Sequence, residues 1–266
     1  MSRVALVATD LDGTLLDGET YDFAAARTAV EALRRAGIPL VLCSSKTRAE
    51  MAPLAVAIGA EGPLVVENGG AVVDPAGSVL VLGAERARLL AELPGLAREA
   101  GVRVRSFAEM SAGEVGALTG LPPDQAERAL RREYDEPFVL EDASGLDADA
   151  DARLESAARR RGLQVTRGGR FHHLTGPTDK GRALRAILRA APADGDVVAL
   201  GNAPNDLPLL LAATRPIVMP RRDGTLDREL VARLPGAERA PGPGPAGWSA
   251  AVLAALSGGS LPRVDA

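Results

Sequence analysis

A short apolar run near the start of the chain ends in two acidic residues. Residues 4–8 predict a buried strand, and the stretch DLDGT follows closely as residues 10–14. Two carboxylates, Asp10 and Asp12, are costly at the end of a buried strand unless positive charge compensates them. Gly13 allows the chain to turn sharply out of the sheet, and Thr14 adds a hydroxyl group. The stretch therefore predicts either a divalent-cation site with a nucleophilic carboxylate or an ordinary polar turn.

The first third of the chain alternates strand-like and helix-like segments. The predicted segments are a strand at residues 4–9, a helix at 24–36, a strand at 38–43, a helix at 47–58 and a strand at 64–67. Such alternation is typical of right-handed crossovers and of a parallel sheet covered by helices. A turn at residues 74–77 then predicts a hairpin between residues 71–73 and 79–82.

The pattern changes at about residue 83 and returns at residue 178. Between these points the sequence predicts helices at 85–100 and 123–134, short strands at 102–105, 138–140 and 164–167, and an acidic solvated turn at 142–151. Beyond them it predicts a helix at 180–189, a strand at 197–200, a helix at 204–213, a strand at 216–219, a loop at 241–245 and a helix at 248–256.

These segments predict an α/β protein with two domains. A Rossmann-like parallel sheet core of residues 1–82 and 174–266 is expected to carry an inserted α+β cap domain of residues 83–173. Gly83 and Gly176 lie at the two junctions and are candidate hinges.

The overall composition is that of a globular protein. The chain has 266 residues, of which 46% are hydrophobic, and a formal net charge of −4, which gives no electrostatic reason to expect a nucleic-acid partner. No apolar run reaches the length of a membrane span, so no membrane partner is expected. The start of the chain lacks a signal-peptide pattern, and Cys43 is the single cysteine, so we expect a cytoplasmic protein without an internal disulfide.

A second polar segment, SSKT at residues 44–47, stands between a predicted strand and a predicted helix. Thr47 and Glu50 have the spacing of a capping box, which places the start of the helix. A helix N-terminus offers unpaired N–H groups to an anion, and Ser44 and Lys46 add a hydroxyl group and a charge. The segment fits a phosphate site, and it equally fits a well-capped helix with no ligand.

A third segment, TDKG at residues 178–181, places Lys180 at the start of a predicted helix. A cation is unfavourable at a helix N-terminus, so this placement suggests a functional demand, such as neutralising a phosphate and an attacking carboxylate. Lys46 and Lys180 are the only lysines in a chain that otherwise uses arginine. The alternative is a surface lysine after Asp179, which would cap the helix.

The fourth segment, GNAPND at residues 201–206, follows the predicted strand at 197–200. Asn202 and Asp206 offer oxygen ligands for a hard cation, and Asn205 could orient Lys180 or a metal-bound water. The alternative is an Asn- and Asp-rich turn that caps a helix. Because all four segments follow a strand or open a helix, we expect them at one edge of the sheet, where open α/β sheets bind ligands.

The order and spacing of these four segments resembles the haloacid dehalogenase superfamily of phosphatases. The resemblance implies that Asp10 is a nucleophile that becomes an aspartyl phosphate. It implies that Asp12 protonates the leaving oxygen and then activates water, and that Ser44 and Lys180 hold the phosphoryl group. The position of the cap resembles the subfamily with an α/β cap of type C2.

The same resemblance implies a Mg²⁺ cofactor. Its expected ligands are Asp10, the main-chain carbonyl of Asp12, Asn202 and Asp206. The superfamily usually has an aspartate at the position of Asn202, so this chain supplies a carbonyl oxygen there without negative charge. We therefore expect a change in metal affinity or preference.

Within the superfamily, several stretches resemble the mannosyl-3-phosphoglycerate phosphatases: ENGG at 67–70, the cap runs 119–122 and 132–138, and GGRFHH at 168–173. The resemblance implies a phosphorylated sugar-glycerate as substrate, with a broader sugar-phosphate phosphatase or a phosphomutase as alternatives. The expected substrate-binding residues are Thr14, Ser45, Lys46, Glu67, Asn68, Gly69, Arg167, Arg170, His172 and Asn205.

Two of these expectations have a physical basis in the cap. Arg167 and Arg170 could pair with the glycerate carboxylate, because arginine forms forked bonds to carboxylates, although a solvated basic loop is an equal alternative. If the following stretch is a strand, His172 and His173 point to opposite faces, so at most one of them meets the substrate.

Overall fold

The computed structural model describes residues 3–141, 149–168 and 171–264. Within these ranges the chain forms an eight-stranded sheet and a separate four-stranded sheet. The strands, in chain order, are β1 (Val4–Asp10), β2 (Leu40–Cys43), β3 (Leu64–Val66), β4 (Ala71–Val73), β5 (Val79–Val81), β6 (Val104–Ser106), β7 (Asp135–Leu140), β8 (Gln164–Gly168), β9 (Phe171–Thr175), β10 (Asp196–Gly201), β11 (Arg215–Val218) and β12 (Glu238–Arg239). The predicted α/β fold class is confirmed.

The larger sheet has the order β12-β11-β10-β1-β2-β3-β4-β5. It is parallel from β12 to β3, and the hairpin β4-β5 extends it in the antiparallel sense. β1 lies between β10 and β2, with Thr9 beside Leu200 and Asp10 beside Cys43. The carboxyl ends of these three strands therefore meet at one edge of the sheet, which is where the predicted polar segments begin.

Helices cover both faces of the larger sheet. In chain order, the α-helices of both parts of the described structure are α1 (Arg27–Arg35), α2 (Arg48–Ile58), α3 (Arg86–Ala100), α4 (Ala112–Thr119), α5 (Pro123–Ala129), α6 (Ala150–Arg160), α7 (Lys180–Ala190), α8 (Leu207–Leu211), α9 (Arg228–Arg233) and α10 (Gly244–Leu256). On one face, Val7 joins an apolar core with α1, α2 and α10, and on the other, Ala8 joins a core with α7, α8 and α9. The side chains of successive residues of β1 thus point to opposite faces of the sheet, as the twofold period of a strand requires.

The smaller sheet is antiparallel, with the order β6-β7-β9-β8. Phe138 on β7 and Leu174 on β9 pack with Leu89 of α3 and Leu154 of α6 in a third apolar core, so these two helices cover one face. The chain enters this part after β5 and leaves it before α7. A Cβ atom on Gly176 would overlap the main chain at Gly83 and Ala84, so the two linking segments lie against each other. We propose this junction as the boundary and hinge of the cap.

Several predicted boundaries are corrected. α5 ends at Ala129 and not at residue 134, because the following residues leave the helix to contact the larger domain. α10 begins at Gly244, inside the predicted loop, because proline is tolerated in the first turn of a helix. Helices α4 and α9 were not predicted, although Ser111 and Glu114 form a capping box at the start of α4. Residues 142–148 of the predicted acidic turn lie outside the described residues.

No helix in the described part of the chain combines the length and apolar character that a membrane crossing requires.

Candidate active site

A cavity of about 700 Å³ lies between the carboxyl-terminal edge of the larger sheet and the smaller sheet. The residues that line it from the larger-sheet side include Asp10, Asp12, Ser45, Asn68, Asn202 and Asn205. The residues that line it from β8 and β9 are Gln164, Thr166, Arg167, His173 and Thr175. The structure thus brings the predicted segments together around one cavity and faces them with a polar surface of the cap.

Asp10 and Lys180 form the charged centre of this site. Lys180 Nζ donates hydrogen bonds of 2.7 Å to Asp10 Oδ1 and 2.7 Å to Asp206 Oδ1, and all three side chains are buried. Burial and then the negative charge of Asp206 raise the pKa of Asp10 to about 7, although Lys180 opposes this shift. Burial by itself would lower the pKa of Lys180, but the two carboxylates outweigh it and raise that pKa. The site therefore offers a carboxylate whose charge a buried ammonium group balances.

The start of α7 fixes the position of Lys180. Asp179 caps the helix by accepting a hydrogen bond of 2.7 Å from the main-chain N–H of Arg182. A Cβ atom on Gly181 would overlap the main-chain carbonyl group of Pro208, so glycine lets α7 lie directly against the start of α8. The ammonium group is placed against the helix dipole, and the neighbouring carboxylates compensate that cost.

Asp206 anchors the turn that carries Asn202 and does not line the cavity. Its Oδ2 atom accepts hydrogen bonds from the main-chain N–H groups of Asn202, at 2.9 Å, and Ala203, at 3.1 Å. A Cβ atom on Gly201 would overlap the Asp206 side chain, so the close approach depends on glycine. Lys180 donates to the other carboxylate oxygen, Oδ1, which keeps a further lone pair, so the predicted role of Asp206 as a metal ligand stays a prediction.

Asn202 lies beside the carbonyl group that is expected to bind magnesium. Its Nδ2 atom donates a hydrogen bond of 3.2 Å to the main-chain oxygen of Asp12. In the described residues, no three side chains of His, Cys, Asp or Glu are grouped so as to hold a metal ion. The donors at this edge are instead the Asp10 carboxylate, the Asp12 carbonyl oxygen and the Asn202 amide oxygen, which are the hard oxygen ligands that Mg²⁺ takes together with water. The residues present therefore fit a magnesium ion.

Asp12, the expected general acid, is paired with Lys46. Lys46 Nζ lies 2.9 Å from Asp12 Oδ1 and 4.8 Å from the centre of the Tyr21 ring. The Asp12 side chain is 39% exposed and lines the cavity, so it can reach a substrate there. Lys46 lies in a smaller neighbouring cavity, and its predicted contact with substrate would require it to leave Asp12.

Ser44 and Thr14 are both fully buried and are not among the residues that line the cavity. Ser44 Oγ accepts a hydrogen bond of 3.2 Å from the main-chain N–H of residue 46. The hydroxyl group of Thr14 has no hydrogen-bond partner among the described residues. Thr47 and Glu50 form the predicted capping box, and this fixes the start of α2 beside Ser45, which lines the cavity.

His172, which was predicted to contact the substrate, is not among the residues that line the cavity. His172 lies on the covered face of β9, where its Nε2 atom is 2.8 Å from Asp151 Oδ1 and its ring stacks on Phe138. Its neighbour His173 lines the cavity instead. The strand directs the two side chains to opposite faces, as expected, and the apolar core under α3 and α6 decides which face is covered.

The residues that line the cavity from the cap, other than Arg167, were missed. Gln164 and Thr166 on β8 lie opposite Thr175 and His173 on β9, so all four share one face. The twofold alternation along the two strands could have grouped them, but the sequence does not indicate which face meets the larger domain.

Glu67, which was also predicted to contact the substrate, does not line the cavity. Its buried carboxylate accepts hydrogen bonds from the main-chain N–H groups of Glu133, at 3.0 Å, and Tyr134, at 2.8 Å, in the cap. Burial raises the pKa of Glu67 to about 7, although Arg132 opposes the shift. Asn68 follows with φ 56° and does line the cavity, where Asn205 Nδ2 donates to its Oδ1 atom at 3.3 Å.

Gly69, another predicted substrate contact, does not line the cavity but packs against the start of α7. It has φ 92°, and a Cβ atom there would overlap the main-chain carbonyl group of Asp179. Thr178 Oγ1 donates a hydrogen bond of 2.6 Å to the Gly69 oxygen. Glycine thus lets the turn after β3 press against the start of α7, next to Lys180.

Of the two arginines expected to meet a carboxylate, Arg167 lines the cavity. Its side chain is 61% exposed, and Nη1 lies 3.3 Å from Asp151 Oδ2. Arg170 lies outside the described residues.

The comparisons with known proteins agree with this fold. A family model of haloacid dehalogenase-like hydrolases matches residues 7–86. Two curated relatives, from Methanococcoides burtonii and Persephonella marina, are 35% and 33% identical and cover 93% and 95% of this chain and 96% and 97% of their own. The chain belongs to the haloacid dehalogenase-like hydrolase family. Both relatives are named glucosyl-3-phosphoglycerate/mannosyl-3-phosphoglycerate phosphatase.

Solved structures extend the likeness of the fold to almost the whole chain. A haloacid dehalogenase-like hydrolase from Bacteroides thetaiotaomicron has a TM-score of 0.68 and 19% identity over 96% of this chain and 99% of its own. Another from B. subtilis has a TM-score of 0.66 and 17% identity over 94% and 98%. At these identities the likeness is one of fold.

Proposed function

We propose that the protein is a Mg²⁺-dependent phosphatase that hydrolyses mannosyl-3-phosphoglycerate to mannosylglycerate, a compatible solute, and inorganic phosphate. The observation that carries the proposal is the buried contact of Lys180 with Asp10 at the floor of a polar cavity. The two relatives, each named for this substrate and its glucosyl analogue, support the choice of substrate. We place the activity in the cytoplasm.

The proposed reaction has two displacements at phosphorus. A carboxylate oxygen of Asp10 attacks the phosphorus atom, the bond from phosphorus to the glycerate oxygen breaks, and Asp12 gives its proton to that oxygen. Asp12 then takes a proton from water as the water oxygen attacks the aspartyl phosphate, which releases inorganic phosphate and restores Asp10. Lys180, which contacts Asp10, would neutralise both the attacking carboxylate and the phosphoryl oxygens.

The buried ammonium group also keeps Asp10 usable as a nucleophile. Burial raises the pKa of Asp10 to about 7, and a protonated carboxyl group would not attack phosphorus. The hydrogen bond from Lys180 favours the ionised form and orients one oxygen, Oδ1. Magnesium held by Asp10, the Asp12 carbonyl oxygen and Asn202 would supply further positive charge, which offsets the repulsion between carboxylate and phosphate.

The cap supplies the part of the cavity that would meet the sugar-glycerate. Gln164, Thr166 and Thr175 present amide and hydroxyl groups, and the guanidinium group of Arg167, which also lines the cavity, would have to leave Asp151 to meet the substrate. Such groups suit sugar hydroxyls and a carboxylate. Because the relatives are named for both sugars, we propose that the glucosyl analogue is also hydrolysed.

The proposal is tested by measuring inorganic phosphate from a substrate panel, with and without Mg²⁺. The panel contains mannosyl-3-phosphoglycerate, glucosyl-3-phosphoglycerate, 3-phosphoglycerate and mannose 6-phosphate. We expect the two glycosylated substrates to be turned over fastest and only with Mg²⁺. Equal turnover of the simple hexose phosphate would contradict the assignment and favour a broader phosphatase. Tracing labelled phosphate would reveal a phosphomutase, since the label would then move to another sugar position and not to solvent.

A further inference from the structure

We infer that His173 binds the substrate beyond its phosphoryl group, that Asp135 orients its imidazole ring, and that Arg132 ties this pair to the loop of Ser44 and Ser45. The inference rests on the proposed function and assigns the residue that recognises the leaving group. It would make the cap a part of the binding site that is connected to the phosphate-binding edge of the core.

His173 is positioned by a residue of the neighbouring strand. It lies on β9 and lines the cavity, with 12% of its side chain exposed. Its Nδ1 atom is 2.8 Å from Oδ2 of Asp135, which is fully buried on β7. β7 and β9 are antiparallel, and His173 is paired with Pro137, so Asp135 is its diagonal neighbour on the same face.

The contact with Asp135 determines what His173 can offer to a ligand. An ionised carboxylate only accepts hydrogen bonds, so Nδ1 carries the proton and Nε2 is left for the cavity. In the neutral ring Nε2 accepts a hydrogen bond from a hydroxyl group, and in the protonated ring it donates one to a carboxylate. Both groups occur on the same substrate, a sugar linked to glycerate.

Arg132 connects the pair of His173 and Asp135 to the larger domain. Its Nη1 atom donates to Asp135 Oδ2 at 3.0 Å and to the main-chain oxygen of Ser45 at 2.8 Å. Its side chain is 8% exposed, so these bonds are made away from solvent. Ser45 lines the cavity and follows Ser44, which is expected to hold the phosphoryl group. A ligand held by His173 therefore stabilises the cap in contact with that loop.

His172 provides a matched control on the same strand. It is the same residue type, it is adjacent in the chain, and it also contacts an aspartate, Asp151. It lies on the covered face and does not line the cavity. A loss that comes only from disturbing β9 should appear in variants of both histidines, whereas loss of a substrate contact should appear only at His173.

The test compares His173→Asn with His173→Gln, with His172→Asn as control. The Asn amide nitrogen can occupy the position of Nδ1 and keep the bond to Asp135, whereas the Gln amide nitrogen can occupy the position of Nε2. If Nε2 contacts the substrate, KM for mannosyl-3-phosphoglycerate rises roughly tenfold in His173→Asn and less in His173→Gln. Turnover of a small aryl phosphate, which has no sugar or carboxylate, is expected to stay within about twofold in both.

Asp135→Asn tests the positioning role. Its amide group can donate to Nδ1 and so move the ring proton to Nε2, and we expect a raised KM for the sugar-glycerate with little change for the aryl phosphate. Should this buried variant fail to fold, as its melting curve would show, the comparison at His173 still decides the matter.

The inference is overturned if both His173 variants keep KM for the sugar-glycerate within about twofold, or if they lose the aryl phosphate activity to the same extent. It is also overturned if His173→Asn retains more binding than His173→Gln. The wild-type enzyme separates this result from a failure of the proposed function. If it does not hydrolyse mannosyl-3-phosphoglycerate, the proposed substrate is wrong, and the His173 variants are judged on the best substrate of the panel.

Discussion

Lys180 Nζ lies 2.7 Å from Asp10 Oδ1, and both side chains are buried. The pair joins the first strand of the chain to the first turn of α7, 170 residues later. A lysine in this position is costly unless the carboxylates around it are ionised, and the carboxylates are costly without the lysine. The stability and the chemistry of the site therefore depend on the same contact.

Replacing Lys180 by methionine is expected to remove the contribution of this contact to both activity and stability. Activity should fall by at least about 10²-fold, because the attacking carboxylate and the phosphate lose a buried cation. The free energy of unfolding should fall by about 3–5 kcal/mol, because the carboxylates of Asp10 and Asp206 remain buried without the positive charge of Lys180. Phosphate release and urea unfolding at pH 8 measure the two effects.

Arg185→Met is the matched control, since Arg185 lies on the same helix, is 48% exposed and makes a long contact of 3.9 Å with Asp179. It should leave both quantities almost unchanged. A Lys180→Met variant with full activity would exclude the proposed role of the ammonium group.

Asn202→Asp is expected to keep activity and to tighten Mg²⁺ binding. The amide now donates a hydrogen bond to the Asp12 carbonyl oxygen, and a carboxylate would face that oxygen with a negative charge instead. With Mg²⁺ present, the new carboxylate adds an anionic ligand, and the affinity for Mg²⁺ should rise by roughly tenfold. Without a cation it adds repulsion, so the melting temperature in EDTA should fall. Calorimetric titration of Mg²⁺ and melting curves with EDTA measure these changes, and a folded but inactive variant would contradict the expectation.

Glu67 is expected to make stability depend on pH. Burial raises its pKa from 4.5 to about 7 in the folded protein, so the folded state binds this proton more tightly than the unfolded state. Its contribution to stability is therefore complete below about pH 4.5 and is lost as the pH rises through about 7. Glu67→Gln cannot titrate, so the unfolding free energy of the wild type relative to the variant should decrease by roughly 1–3 kcal/mol between pH 5 and 8. Urea unfolding at both pH values measures it, and a difference that is independent of pH would refute this account of Glu67.

Gly69→Ala should cost more stability than Gly77→Ala. Both glycines have positive φ, at 92° and 89°, so alanine meets a similar backbone strain of about 1–2 kcal/mol at either position. At Gly77 nothing lies within 4 Å of the added atom, whereas at Gly69 it overlaps the main chain of Asp179. We expect an additional loss of at least about 1 kcal/mol at Gly69, and a lower kcat because Lys180 follows Asp179. Equal losses in urea unfolding would show that the close approach is unimportant.

Local signals in the sequence were sufficient to predict elements of the larger domain and the edge of its sheet where the polar segments lie. The apolar run before Asp10 and the capping box of Thr47 and Glu50 are encoded within a few residues, and both are found where they were predicted. Their meeting at one edge follows from the parallel connections of the sheet. Short-range patterns of this kind can be recognised without knowledge of the rest of the chain.

Contacts between the cap and the core could not be predicted in the same way. Glu67 bonds to Tyr134, and Arg132 bonds to the main chain of Ser45, across sequence separations that no local pattern indicates. Helix α5 ends earlier than predicted for the same reason, because the residues after Ala129 make these contacts with the larger domain. The choice between His172 and His173 depended on which face of β9 the helices cover, and this is settled by tertiary packing.

The central claim is that Asp10 is the group that takes the phosphoryl group from the substrate. The most direct measurement uses the wild-type enzyme in a single turnover, with mannosyl-3-phosphoglycerate labelled at phosphorus and rapid acid quenching. Peptide mapping by mass spectrometry is predicted to find the label on Asp10 in an amount that rises before free phosphate appears. Label on any other side chain, or rapid turnover by the Asp10→Asn variant, would contradict the account.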